Sequence, residues 1–266
     1  MSADDGAQGE AMSDSTSSQP PQERPGWPSH IKALLWIVAI LTVVLAIFEW
    51  WWPGATMPVD ASKTEKAVQD TMVVFSVAAA PVMALVWGIA LYSLFKWRHR
   101  GDGVPEDGPA IRGNNKVTLT WLVVSSLLTV FLLVWGLAEL TATTSTATNP
   151  LVIEVTGQQW VWSFKYPQEG GVTSETLVLP VDRPVLFKVT STDVIHDFWL
   201  PEMGIKVDAN PAVITQTATT PTLLGTFNVR CAELCGLNHA FMQTTAKVVT
   251  SADFAAWVQS NGGTVG

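Results

Sequence analysis

The stretch "LVIEVTGQQWVWSFKY", Leu151–Tyr166, is where this chain changes character. It is β-branched and aromatic. Downstream of it, "TLVLPV", "PVLFKVTST", "VITQTAT", "GTFNVR" and "TTAKVVT" are equally short and are separated by Gly, Pro or polar turns. Several short strands at such spacing predict an all-β sandwich or barrel over residues 149–266. A closing stretch, "SADFAAWVQSNGG", has an N-cap candidate at Ser251, an apolar period and terminal glycines, which predicts a short final helix.

Upstream the chain reads differently. Hydrophobic residues make up 48% of the whole and charged residues only 14%, where about a quarter charged is ordinary for a soluble protein. The excess lies in three apolar segments, Ile31–Trp52, Thr71–Trp97 and Val117–Leu140. Each is long enough to cross a hydrocarbon core, which takes about 20 helical residues. Pro81 lies inside the second, where neighbouring helices can satisfy the freed carbonyl. Trp50, Trp51 and Trp52 suit a membrane–water interface. The second and third segments form a hairpin, 71–97 and 117–140, joined by a loop over 98–116. Residues 30–53 are either a further span or a signal sequence. Residues 1–29, rich in Ser, Gln, Pro, Asp and Glu, read as a disordered tail.

Orientation follows from basic residues. Lys96, Arg98 and Arg100 follow the second segment directly, which places that loop on the cytoplasmic side. The third segment then runs outward, and the β domain lies outside. The formal net charge of −8 argues against nucleic acid. From residue 149 onward there are ten acidic against six basic residues, a net −4 that would steer a basic partner.

Both cysteines of the chain fall in "CAELCGLNHAFM", Cys231–Met242. Outside the cell a Cys231–Cys235 disulfide is one reading. So small a closed loop restrains the unfolded chain little, and the pairing leaves His239 and Met242 without a part. Thiolate, imidazole and thioether together suit copper better than zinc, calcium or magnesium. A second thiolate is surplus for one copper but can bridge two. A second imidazole is then required. The outer domain supplies one other, His196 in "STDVIHDFWLP", between predicted strands and 35 residues before Cys231. His30 and His99 flank apolar segments and read as interfacial.

From about Thr71 onward the chain resembles subunit II of the haem–copper cytochrome c oxidases. The resemblance is carried by "TGQQWVWSFKYP", "STDVIHDFWLPEMGIKVDANP" and "CAELCGLNHAFM". It implies two membrane spans followed by a cupredoxin-like Greek-key β-barrel. It also implies a dinuclear copper centre, CuA, that accepts electrons from cytochrome c or an equivalent donor and passes them to haem in subunit I. Carried over, Cys231 and Cys235 bridge two copper ions, and His196 and His239 each bind one. Met242 is a weak ligand, as is the backbone carbonyl of Glu233. The Glu233 side chain is expected to reach a magnesium at the interface with subunit I. Trp160 falls where the family takes in electrons, and Asp193 and Asp208 match acidic positions of the donor-docking face. The expected partners are subunit I, other oxidase subunits, the donor and the plasma membrane.

The chain departs from the family in two places. "NNKVTLTW", Asn114–Trp121, holds no carboxylate where subunit II commonly has a Glu at the mouth of a proton path; Thr118 is at about that position. With only two cysteines, the chain also lacks the haem-attachment motif of fused relatives. Other functional classes fare less well. A quinol oxidase subunit would lack these ligands, and a copper-storage protein would have no partner-sized membrane surface. A nitrous oxide reductase would need a second His-rich domain. A CuA subunit of a nitric oxide reductase or another haem–copper relative is the alternative.

Overall fold

The computed structural model describes residues 27–98, 103, 113–144 and 148–265. Three long helices come first: α1 (Trp27–Thr56), α2 (Lys63–Lys96) and α3 (Asn115–Thr144). By length and composition each can cross a membrane. The tail expected over 1–29 falls largely outside the described residues, as does most of the 98–116 loop, including His99. Residues 27–29 are helical and belong to α1.

Helix α2 begins eight residues before the expected Thr71. Its first two turns are polar, so hydropathy does not report them. Capping sets the start. Ser62 has extended backbone, and its Oγ accepts from the Glu65 amide at 3.0 Å and donates to Met203 O at 2.9 Å. Ala80, Ala84, Gly88 and Tyr92 are buried and recur every fourth residue, so they share one face of α2. Helix α1 covers that face. A Cβ placed on Gly88 would lie 2.9 Å from Val38 Cγ2, so the missing side chain is what lets the two backbones approach. Near the far end the Tyr92 hydroxyl lies 2.6 Å from His30 Nδ1. His30 therefore has a partner on α2.

The α1–α2 connection is stitched into the outer domain. Ala61 and Ser62 are fully buried. The Ala61 amide donates to Glu202 O at 3.0 Å, the Thr222 amide to Ala61 O at 2.9 Å and the Lys63 amide to Thr220 O at 3.1 Å. The start of α2 and the end of α3 thus lie on the β-domain side. The basic end of α2 points the other way.

Ten strands follow: β1 (Leu151–Gln158), β2 (Val161–Tyr166), β3 (Val172–Ser174), β4 (Leu177–Pro180), β5 (Val185–Ser191), β6 (His196–Leu200), β7 (Ile205–Ala209), β8 (Thr215–Thr219), β9 (Gly225–Cys231) and β10 (Gln243–Val249). They form two five-stranded sheets, ordered β3-β2-β1-β5-β8 and β4-β10-β9-β6-β7. The β1/β5 and β4/β10 pairs are parallel and the remainder are antiparallel. On β1 and β5 every second residue is buried, as a strand with one face on the core requires. Trp162, Phe164, Phe187 and Phe198 fill the space between the sheets. Helix α4 (Ser251–Ser260) closes the chain. Its cap is Thr250 rather than the expected Ser251: Thr250 has the extended backbone, and its Oγ1 accepts from the Asp253 amide at 3.2 Å.

Candidate metal centre

His196 was expected in a loop between strands. It is instead the first residue of β6, and β6 pairs with β9 so that Phe198 faces Cys231. The strand buries the polar His196 and Asp197 and has no apolar alternation, so hydropathy does not mark it. The register brings His196 beside the end of β9, where Cys231 sits. From there the chain runs through a loop to the short 3-10 turn His239–Phe241 and back into β10. The Cys231 amide donates to Met242 O at 3.0 Å, which pins the two ends of the loop together.

The donor atoms converge. Cys231 Sγ lies 3.7 Å from Cys235 Sγ, 3.9 Å from His196 Nδ1 and 3.2 Å from the Glu233 carbonyl oxygen. Cys235 Sγ lies 3.6 Å from His239 Nδ1 and 3.7 Å from Met242 Sδ. A disulfide needs sulfurs about 2.05 Å apart, so the two cysteines are free thiols. The ligand atoms of His196, Cys231 and Cys235 all lie within 4.8 Å of one another, and all three residues are buried. Met242 is 1% exposed. Two thiols, each beside its own imidazole Nδ1, with a thioether at one end and a carbonyl at the other, are a donor set that fits a soft metal such as copper.

The surroundings orient the ligands. Asp193 Oδ1 lies 2.9 Å from His196 Nε2. An ionised carboxylate only accepts, so Nε2 carries the proton and Nδ1 keeps its lone pair for a metal. Asp193 also accepts from the Gln159 amide at 2.8 Å and the Val194 amide at 2.7 Å, and Ser191 Oγ lies 3.2 Å away. Burial works against its charge, but these hydrogen bonds outweigh it and hold the carboxyl down to about 2. Asp193 is thus an exposed residue whose carboxylate is turned onto His196. Asp208 is exposed on β7, opposite the buried Asp197. Burial pushes the Cys235 thiol up to about 11, and the neighbouring Cys231 adds to the shift.

Trp160 sits in the β1–β2 turn, partly buried against the core. The next tryptophan, Trp162, is 1% exposed and packs edge-on against His196, with ring centroids 6.0 Å apart. Gly157 leaves room for that contact, since a Cβ there would lie 3.0 Å from His196 Cδ2. Sequence reasoning singled out neither Trp162 nor Gly157. Their part is set by packing across the two sheets, which no local spacing records. Glu233 exposes its side chain while its carbonyl faces Cys231. Thr118 lies in the first turn of α3, where its hydroxyl donates to Asn114 O at 3.1 Å.

The profile of the cytochrome c oxidase subunit II periplasmic domain matches residues 172–249, which include every expected copper ligand. The periplasmic domain of subunit II of cytochrome oxidase from Bradyrhizobium japonicum is 34% identical to this chain over 97% of that domain and 44% of this chain, with a TM-score of 0.43. The chain belongs to the cytochrome c oxidase subunit II family. Cytochrome c oxidase subunit 2 of Alkalihalophilus pseudofirmus is 31% identical over 72% of this chain and 58% of its own length. That of Synechocystis is 28% identical over 85% of this chain and 82% of its own. The family accounts for the order seen here, apolar helices followed by a cupredoxin-like β domain outside the membrane. Its copper-binding residue types, a His and a Cys pair, are present and gathered at one site. As a member of this family, the chain is a subunit of an oxidoreductase complex.

Proposed function

We propose that this chain is the electron-accepting subunit of a terminal cytochrome c oxidase in the plasma membrane. In this reading its outer domain holds a dinuclear CuA centre. The observation that carries the proposal is the convergence of six donors: His196 Nδ1, Cys231 Sγ, the Glu233 carbonyl, Cys235 Sγ, His239 Nδ1 and Met242 Sδ. When bound, the copper pair supplies a one-electron carrier whose charge is shared over two nuclei. The remaining work belongs to the protein. Asp193 fixes the His196 tautomer, and the β6–β9 pairing sets where His196 and Cys231 sit. Cys231, Cys235 and Met242 belong to the buried hydrophobic core, which limits the access of water to the donors.

No substrate bond is broken in this subunit; electrons pass to haem in subunit I, the subunit that reduces oxygen to water. Trp160 takes electrons from cytochrome c or an equivalent donor. Asp208 and the acidic surface of the domain steer a basic donor. The Glu233 side chain, exposed beside the centre, offers a carboxylate to a magnesium at the subunit I interface. The deciding experiment purifies the full chain in detergent, loads it with copper, and records copper per chain and the electron paramagnetic resonance spectrum. The proposal expects two coppers and one unpaired electron shared over both nuclei. One copper with a single-nucleus pattern refutes it.

A further inference from the structure

Gln159 precedes Trp160 in the turn between β1 and β2, and it touches both halves of the metal centre. Its backbone amide donates to Asp193 Oδ2 at 2.8 Å, and the other oxygen of that carboxylate holds His196 Nε2 at 2.9 Å. Its side-chain Nε2 donates to the Cys235 carbonyl at 2.7 Å. The turn belongs to one sheet, whereas His196 opens β6 and Cys231 closes β9 in the other. One residue therefore clamps the turn across the gap between the sheets, to the His196 side by its backbone and to the Cys235 side by its side chain.

The next residue of the ligand loop is shaped for this contact. Gly236 has a φ of +119°, and a Cβ there would lie 2.9 Å from Gln159 Nε2, 3.4 Å from Trp160 Cζ2 and 3.5 Å from Trp160 Nε1. The backbone at 236 is thus the floor on which the Gln159 amide and the Trp160 indole both rest. Any other residue would strain the chain and lift both groups off it.

We infer that Gln159 is a positioning residue: it locks the turn carrying Trp160 onto the Cys235–Gly236 backbone and, through Asp193, onto His196. The inference rests on the electron-accepting reading given above. The chemistry of the side chain suits the task. The partner is a carbonyl, so a donor is required. A carboxylate of the same length would repel that oxygen, and a Lys or Arg would place a cation beside the two thiolates. Asn is one methylene too short to span from the turn. An uncharged, three-carbon amide meets all these conditions. Electron transfer from an indole to a buried centre depends on the gap between them, and a loosened turn widens it.

The test uses the complete chain in its assembled oxidase, with Gln159→Leu as the main variant. Copper content, the paramagnetic resonance spectrum and stopped-flow reduction by reduced cytochrome c are measured over a range of donor and salt concentrations. The variant is expected to keep two coppers, the shared-electron spectrum and the parent's salt dependence, while the saturating rate of electron uptake falls about tenfold, within what a misplacement below 1 Å can do. In a Trp160→Leu background the same substitution is expected to add nothing, because both act on one contact.

A parental rate in Gln159→Leu overturns the inference. So does a loss confined to donor affinity at an unchanged saturating rate, which would make Gln159 a docking contact. Additivity with Trp160→Leu also overturns it. Should Gln159→Leu lose copper, Gln159→Asn is put through the same measurements. Loss of copper in both variants overturns the inference, since Gln159 would then build the centre rather than place Trp160. Failure of the parent chain to hold two coppers refutes the functional reading itself. A sound parent with variants that match it refutes only the role of Gln159.

Discussion

Asp193 Oδ1 and His196 Nε2 lie 2.9 Å apart, and the opposite ring nitrogen of His196 faces Cys231 Sγ at 3.9 Å. The carboxylate therefore chooses which nitrogen is left for the metal. Asp193→Asn keeps the shape but removes the charge and makes one end of the group a donor. Copper affinity is expected to fall about 10- to 100-fold, the usual loss when a ligand histidine's outer partner is removed. Competition with a copper chelator of known affinity, on the full chain, measures it.

Cys235 enters the metal-free site as a protonated thiol, held up to about 11 by burial and by its neighbour Cys231. A metal must displace that proton. Copper uptake is expected to release protons and to tighten as pH rises, by about tenfold per pH unit for each proton released. Calorimetry of copper binding in buffers of different ionisation enthalpy counts the protons. A pH-independent affinity would contradict this.

Asp197 follows His196 in β6 and faces Asp208 across the β6–β7 pair. Burial raises its carboxyl from 3.8 to about 6; Lys206 opposes the shift, and the charges of Asp208 and Glu233 add to it. The folded state thus binds this proton more tightly than the unfolded chain does. Its contribution to stability is full below about pH 4 and is lost as pH rises through about 6. Asp197→Asn is expected to remove that loss, leaving the variant more stable than the parent above pH 6. Denaturant unfolding of both chains across pH 4 to 8 measures the difference.

Ser62 joins the membrane part to the outer domain. Its hydroxyl caps α2 and reaches Met203 O from a fully buried position. Ser62→Ala removes a cap and leaves Met203 O without this donor. A loss of about 1–2 kcal/mol is expected, read as a lower unfolding midpoint of the detergent-solubilised chain.

Gly88 lies where α1 crowds α2, with Val38 Cγ2 2.9 Å from where a Cβ would sit. Gly88→Leu forces the helices apart at Val38, at an expected cost of about 1–3 kcal/mol. The separation is followed by crosslinking between cysteines introduced on the two helices. An unchanged crosslinking pattern would mean that α1 does not pack there.

The order of elements and the chemistry of the ligands were legible in the sequence. The three apolar runs are read from composition alone, because a hydrocarbon core selects length and apolarity. The β domain is read from short β-branched runs. Cys231, Cys235, His239 and Met242 sit within one loop, so their spacing announces a soft-metal site. What remained hidden depends on contacts between residues far apart in the chain. The early start of α2 was hidden because a cap and a buried linker set it. His196 opening β6 was hidden because that strand buries the polar His196 and Asp197 and shows no apolar alternation. Asp193 reads in the sequence like any loop acid and is a ligand's partner only once folded.

The sequence by itself therefore determined which chemistry this chain carries and on which side of a membrane it would work, because residue type and hydropathy are local properties. Only the tertiary structure decided which nitrogen each histidine presents, how the Trp160 turn is clamped to the centre by Gln159, and that α1 packs into the Gly88 face of α2. Those depend on strand register and on the close approach of distant backbones, which exist only once the sheets and helices have packed.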